Sequence, residues 1–282
     1  MKIIVTGVKG QLGYDVIKEL NIRGYKEVLG IDIDDLDITN SKAVDSFMSL
    51  HKPSTIIHCA AYTAVDKAED NKDVCMNVNI NGTKNLVEQA RKLDAKFIYI
   101  STDYVFNGNK QGMYEIDDQP DPQSVYGESK YLGELEAQKH DKHFVVRISW
   151  VFGKNGQNFV KTMLRLGNEK PLVNVVSDQI GSPTYTHDLS RLLVDLIESD
   201  KFGTYHATNE GNCTWYEFTK EIFRLTGINT PVHPILTSDY PTKAKRPMNS
   251  LLSKETLDKA GFDRLPSWQD ALKRYLTEIE VL

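Results

Sequence analysis

The chain has 282 residues, of which 40% are hydrophobic and 26% charged. That balance describes an ordinary globular protein, long enough for one large domain or a large domain with a smaller one. A formal net charge of −5 provides no general basic field for nucleic acid, so a phosphate-bearing ligand needs local donors.

The three cysteines, Cys59, Cys75 and Cys213, are widely spaced and outside any C-x-x-C arrangement, which indicates neither a disulfide framework nor a zinc site. The given sequence enters the first strand-like run directly, so no signal peptide is expected, and no apolar stretch approaches the roughly 20 residues of a membrane span. A cytoplasmic protein with no membrane partner is expected.

Lys2 to Thr6 is a short β-branched run ending at Gly7-Val8-Lys9-Gly10-Gln11-Leu12-Gly13, after which Tyr14 to Asn21 carries apolar residues at helical spacing. Strand, glycine-rich turn and helix in that order bring backbone amides close to a pyrophosphate at a helix N-terminus. Glu27 to Ile31 reads as the second strand. Asp32 at its end lies about 20 residues beyond the turn, where a carboxylate can bind adenosine ribose hydroxyls. Asp34, Asp35 and Asp37 make the segment acidic, with no arginine nearby in sequence to offset repulsion of a 2′-phosphate.

Ser41 to His51 has helical spacing, with Asn40 or Ser41 as the N-cap. Ser54 to Cys59 is the next buried strand, in which His58 reads as packed rather than catalytic. Ala60-Ala61-Tyr62-Thr63 follows, with small residues at the edge where a parallel sheet places its ligand crevice. One long helix is expected from Asp73 to Leu93. Asn77, Asn79 and Asn81 on it either bridge to neighbouring loops or form a solvated face.

Lys96 to Ile100 delivers Ser101 and Thr102 to the same edge, and the loop of residues 108–123 leads to a helix carrying Tyr126 and Lys130. A lysine four residues after a tyrosine lies on the same helix face. An ammonium there favours phenolate and lowers a reference pKa of about 10, so the tyrosine can shuttle a proton near neutral pH. The hydroxyl of Thr102 or Ser101 can then bind the oxygen whose protonation changes. The trio suits reduction of a carbonyl or oxidation of an alcohol.

Phe144 to Ile148 is a further strand. Alternation through about residue 150 argues for an α/β fold with a doubly wound parallel sheet. Beyond it the alternation fades: helices are expected over residues 158–166, 188–197, 215–225 and 268–279, an extended run over 172–176, and a return to the sheet at residues 203–207. The division expected is a dinucleotide-binding domain of residues 1–150 with returns near 185–209. Residues 151–184 and 210–282 form a smaller, discontinuous substrate-binding region with a cleft between the two.

The glycine turn, Ser101-Thr102 and Tyr126-x-x-x-Lys130 together resemble the extended short-chain dehydrogenase/reductases. More narrowly the chain is similar to the dTDP-4-dehydrorhamnose reductase family. The matching segments are Ser101-Thr102-Asp103-Tyr104-Val105-Phe106, Tyr126-Gly127-Glu128-Ser129-Lys130 and Arg147-Ile148-Ser149-Trp150-Val151-Phe152. Ser177-Asp178-Gln179-Ile180-Gly181-Ser182-Pro183-Thr184 and Arg246-Pro247-Met248-Asn249-Ser250 continue the match through nearly the whole chain.

The resemblance implies NADPH- or NADH-dependent reduction of the 4-keto group of a dTDP-linked 4-dehydro-L-rhamnose, with Tyr126, Lys130 and Thr102 catalytic. It carries Gly10, Gln11, Leu12, Asp32, Asp37, Ile38, Ala61, Tyr62 and Thr63 over as cofactor-binding positions, beside the turn glycines Gly7 and Gly13. Thr102, Asp103 and Trp150 match substrate contacts, and Arg246 would be available to the diphosphate. A packed core tryptophan and a surface arginine are the alternatives for the last two.

Tyr62 departs from the family's Ala-Ala-x-Thr motif, where a histidine is usual. Family members can bind magnesium at a dimer contact through acidic residues. No such set is matched here, so no metal is expected and oligomeric state is left open, a homodimer included. A 4,6-dehydratase would need a second carboxylate after Asp103, where Tyr104 stands. A nucleotide-sugar epimerase is the other enzyme alternative, and a non-catalytic protein like the regulatory subunit of methionine adenosyltransferase is the alternative from another class.

Overall fold

A computed structural model describes residues 1–282. Six short runs rich in β-branched and aromatic residues form one sheet: β1 (Ile3–Thr6), β2 (Val28–Ile31), β3 (Thr55–His58), β4 (Lys96–Thr102), β5 (His143–Ile148) and the strand Gly203–His206. Every neighbouring pair is parallel, in the order β2, β1, β3, β4, β5, then Gly203–His206. β1 and β3 are buried at every position, as expected of strands covered by helices on both faces.

Successive side chains point to opposite faces, so Ile3 and Val5 join one core while Ile4 joins the other. The first core is closed by α1 (Gln11–Ile22) and the helix Thr186–Ile197, through Val16, Leu20, Leu189 and Leu193. The second is closed by α2 (Ser41–His51) through Val44 and Met48. From β1 the chain winds first to β2 and then back to β3. The crevice of such a sheet opens outside the carboxyl ends of the strands at that reversal.

A short helix, α3 (Val65–Asp70), precedes the helix expected over residues 73–93, which runs without a break through α4 (Lys72–Met76), a π-helical turn (Asn77–Gly82) and α5 (Thr83–Lys92). The wide turn accommodates the helix α6 (Val125–Ala137): a Cβ on Gly133 would stand 2.6 Å from the Asn79 carbonyl oxygen. Thr83 donates its hydroxyl to that same carbonyl at 2.7 Å, which supplies the partner a regular helix would have provided.

After β5 a third core forms around Phe152, Met163, Phe218, Phe223, Trp268 and Tyr275. It is built by the helices Phe159–Glu169, Trp215–Thr226 and Trp268–Glu278 with the parallel strand pair Val173–Val176 and Val232–Ile235. One piece of residues 210–282 lies elsewhere than that grouping expects. The helix Glu255–Ala260 packs on the strand Gly203–His206, and Leu257 and Leu265 join the sheet core, because their apolar faces meet the open edge of the sheet. No helix is long and apolar enough to cross a membrane.

Candidate active site

A cavity of about 630 Å³ opens at the carboxyl ends of β1, β3 and β4, the place the strand order dictates. Its walls include Gly7, Gly10, Gln11, Leu12, Gly13, Asp32, Asp37, Ile38, Ala61, Tyr62, Thr63, Thr102, Asp103, Tyr126, Lys130 and Trp150. Of the catalytic, cofactor-binding and substrate-binding positions expected from the sequence, Arg246 alone is outside it.

The three turn glycines do different things. Gly7 has φ +72° and a Cβ there would meet the Ala60 nitrogen at 2.7 Å, while a Cβ on Gly13 would stand 2.3 Å from the Gly7 carbonyl oxygen. These two are needed so that backbone can lie on backbone. Gly10 is exposed and faces the cavity at the N-cap of α1, which has no side-chain cap and no acidic residue in its first turn. Its orphan amides are therefore available to an anion. Asn155 Nδ2 donates to the Lys9 carbonyl at 2.7 Å and Asn158 Nδ2 to Gln11 Oε1 at 3.1 Å, so the second lobe braces this turn.

Asp32 is oriented by backbone: Lys9 N–H and Ile33 N–H each donate to its carboxylate at 2.9 Å. Asp37 accepts from Thr39 N–H at 2.9 Å and its hydroxyl at 2.7 Å, closing the turn that places Ile38 in the wall. The acidic segment has a cationic neighbour after all. Lys9, from within the glycine turn, pairs with Asp34, and its pKa is raised by that contact. Sequence distance hid this pairing across 25 residues.

At the end of β3, Tyr62 is held by its backbone: its N–H donates to Asn79 Oδ1 at 2.8 Å, and Asn79 Nδ2 returns a bond to the Tyr62 carbonyl at 3.2 Å. Asn79 Nδ2 also donates to Ser129 Oγ on α6 at 2.8 Å. Of the three helix asparagines, this one bridges. His58 is buried between Thr6 Oγ1 at 2.8 Å and Thr83 Oγ1 at 3.1 Å, and desolvation lowers its pKa to about 3. It stays a neutral packing residue.

β4 and α6 bring Thr102, Asp103, Tyr126 and Lys130 to one wall. Ser124 caps α6 by accepting from Gly127 N–H at 3.1 Å, and Glu69 from α3 accepts from Val125 N–H at 2.9 Å. The expected lowering of the Tyr126 pKa by Lys130 is not found. Burial pushes the phenol well above its ordinary value, with the Thr102 hydroxyl pulling the other way. The Lys130 ammonium lies over the Tyr99 ring, 4.1 Å from its centre, and burial lowers the lysine to about 7. Spacing places the two residues on one face but says nothing about the desolvation both suffer.

Thr102 Oγ1 donates to Asp103 Oδ1 at 2.9 Å and accepts from Tyr104 N–H at 3.2 Å. Asp103 is raised by burial to about 6. Its Oδ2 and the Ser101 hydroxyl are buried without partners, and both residues line the cavity. Buried polar atoms left open in this way call for a ligand.

Trp150 closes the far wall in a left-handed conformation, φ +49°, an uncommon one for an aromatic residue. It stacks on Trp215 with ring centres 3.5 Å apart, and Gly181 leaves it room, since a Cβ there would sit 2.4 Å from its ring. Arg246 stands behind the wall, paired with Asp66 and donating to Tyr104 Oη at 2.9 Å. Lys243 pairs with Asp70, so the strap of residues 243–246 is fastened along α3. No three His, Cys, Asp or Glu side chains converge as metal ligands.

The family model for the RmlD substrate binding domain matches residues 1–281. The chain belongs to that family. It is 42% identical over 285 residues to a dTDP-4-dehydrorhamnose reductase from Aggregatibacter actinomycetemcomitans, covering 96% of this chain and 97% of the relative. Among solved structures it is similar to the dTDP-4-dehydrorhamnose reductase of Bacillus anthracis in complex with NADP. That match has a TM-score of 0.96 and 43% identity, covering 99% of this chain and all of the other. The reductase of Clostridium acetobutylicum gives a TM-score of 0.97 at 42% identity, covering 99% of this chain and 100% of that one.

The residues present fit a dinucleotide: an uncapped helix N-terminus behind Gly10 and a backbone-oriented carboxylate at Asp32. Sequence reasoning missed Lys9 at one end of this cleft and Tyr99, buried behind its wall beneath Lys130. Lys9 stood inside the glycine turn that had already been read, and only its charge could have drawn notice.

Proposed function

We propose that the chain reduces the 4-keto group of dTDP-4-dehydro-L-rhamnose to dTDP-L-rhamnose, the last step in making this polysaccharide precursor, using NADPH or NADH in the cytoplasm. The observation that carries the reading is the meeting of Tyr126, Lys130 and Thr102 in the same cavity as the glycine turn. Family membership over residues 1–281 supports it, as does the similarity to a reductase that binds NADP.

In this reading Gly10, Gln11 and Leu12 hold the pyrophosphate through amides of α1, and Asp32 and Lys9 flank the adenosine ribose. Ala61, Tyr62 and Thr63 line the middle of the dinucleotide, and Lys130 binds the nicotinamide ribose. The nicotinamide supplies the hydride that reduces C4. Tyr126, kept protonated by its burial, gives its proton to the C4 oxygen. Thr102 fixes that oxygen beside the phenol, and Asp103 Oδ2 accepts from a sugar hydroxyl. Trp150 borders the sugar. Arg246 meets the diphosphate by exchanging Asp66 for it.

The test is consumption of NADPH and of NADH with dTDP-4-dehydro-L-rhamnose, with the product sugar identified. Absence of dTDP-L-rhamnose from an assay with folded protein would refute the reading.

Dual cofactor use follows from Asp32 and Lys9 standing together. Asp32 accepts ribose hydroxyls and repels a 2′-phosphate, whereas Lys9 attracts one. Asp32→Ala removes the hydroxyl acceptor and the repulsion, so the ratio of kcat/KM for NADPH to that for NADH is expected to rise. The two cofactors are compared at fixed ionic strength, because salt screens such repulsion. An unchanged ratio in the folded variant would place the adenosine ribose elsewhere.

A further inference from the structure

Lys130 is 3% exposed, a costly place for an ammonium that has no paired carboxylate of its own. The groups facing it come from four elements. α6 supplies Tyr126 and Glu134, β4 supplies Tyr99, β3 and its edge supply His58 and Cys59, and α4 supplies Cys75. His58 is held neutral by burial, and burial raises both thiols, Cys59 to about 12. The Tyr126 and Tyr99 phenols are raised as well. Glu134 carries a charge, but Arg147 takes both of its oxygens, Nε at 2.9 Å and Nη2 at 2.8 Å.

What touches the ammonium is the face of Tyr99. Lys130 Nζ lies 4.1 Å from the ring centre, well inside the roughly 6 Å reach of a cation–π contact. The ring cannot turn away. It is fully buried, and its hydroxyl donates to the Lys130 main-chain carbonyl at 3.1 Å. Gly133, less than one turn further along α6, leaves space for that hydroxyl, since a Cβ there would stand 2.2 Å from it. One turn of the helix thus carries the lysine, clamps the tyrosine and is hollowed to fit it.

We propose that Tyr99 is a positioning residue whose ring face keeps the buried Lys130 ammonium charged and aimed into the cleft, in place of a carboxylate partner. The role of Lys130 in turnover rests on the reading given under Proposed function, but the contact itself does not.

The test follows the Lys130 side chain by NMR in nucleotide-free protein labelled at lysine carbons, assigned with Lys130→Arg. Kinetics are then measured on the same variants. Losing a contact made only to the charged form favours the neutral amine and lowers the pKa. Tyr99→Leu is therefore expected to move the Lys130 titration down by about 1 pH unit or more. The alkaline limb of kcat/KM should move to lower pH with it. Tyr99→Phe, which keeps the face and loses the hydroxyl, should titrate near wild type.

Phenylalanines of increasing fluorination placed at position 99 preserve ring shape while draining its negative face, so they carry the test if Tyr99→Leu does not fold. A stepwise fall in the Lys130 pKa along that series is expected. A titration unmoved by fluorination overturns the proposal, as does a Tyr99→Phe variant that falls as far as Tyr99→Leu. A shifted titration in a protein that reduces no keto sugar would uphold the contact and refute the functional reading alone.

Discussion

Tyr126→Phe is expected to bind NADPH as the parent protein does and to lose about 10²–10⁴-fold in kcat, the usual contribution of a positioned acid or base. The substitution removes one hydroxyl from a residue whose ring is already fixed, edge-on to Tyr104 at 5.5 Å between centres. The fold therefore has little cause to change. Burial holds the phenol protonated, which is the form a proton donor must have when a ketone is reduced.

Thr102 opposes that preference, because its hydroxyl is a hydrogen-bond partner for the phenolate left behind. Loss of the Tyr126 proton should thus fall on kcat rather than on cofactor affinity, and fluorescence titration of NADPH beside steady-state kinetics separates the two. A kcat near that of the parent would remove Tyr126 from the chemistry.

The parts of this site that could be read in advance are those written within a few residues of one another. Tyr126 and Lys130 share a face by helical spacing. The glycine turn announces itself between a β-branched run and an amphipathic helix, and Asp32 follows at the end of the next strand. What could not be read arises where distant segments meet. Lys9 reaches Asp34 across the first crevice loop, Asn79 ties Tyr62 to Ser129, and Tyr99 lies beneath a lysine 31 residues on. The same holds for protonation. Helical spacing implies a phenol lowered by its lysine, but desolvation depends on the whole fold and acts on both groups. The π-helical turn escaped for a related reason, because the need for it lies at Gly133 on another helix. In the second lobe, pairs such as Ile180–Gly181, Cys213–Thr214 and Asn249–Ser250 are too short to carry periodicity.

Arg147→Met is expected to cost about 3–5 kcal/mol of stability, the range for breaking a buried ion pair from one side. Arg147 is 3% exposed and Glu134 fully buried, and the pair is bidentate. Removing the guanidinium leaves the Glu134 carboxylate without its partner in the middle of α6, one turn beyond Lys130. It also frees the Ile116 carbonyl, which accepts from Arg147 Nη1 at 3.2 Å, and strips a cation from the face of Phe106 at 5.0 Å. The loop that leads to α6 loses one of its anchors in the same step.

Replacing both members with apolar residues of similar volume, Arg147→Met with Glu134→Leu, removes the stranded charge and should recover much of the loss. Denaturant titration of the parent, the two single variants and the double variant gives the coupling between them. If Arg147→Met lies within about 1 kcal/mol of the parent, the typical size of an ordinary substitution, the pair is no mainstay of α6. The placement of Tyr126 and Lys130 would then rest on the cap at Ser124, on Glu69, and on the bonds from Asn79 to Ser129 and from Tyr99 to the Lys130 carbonyl.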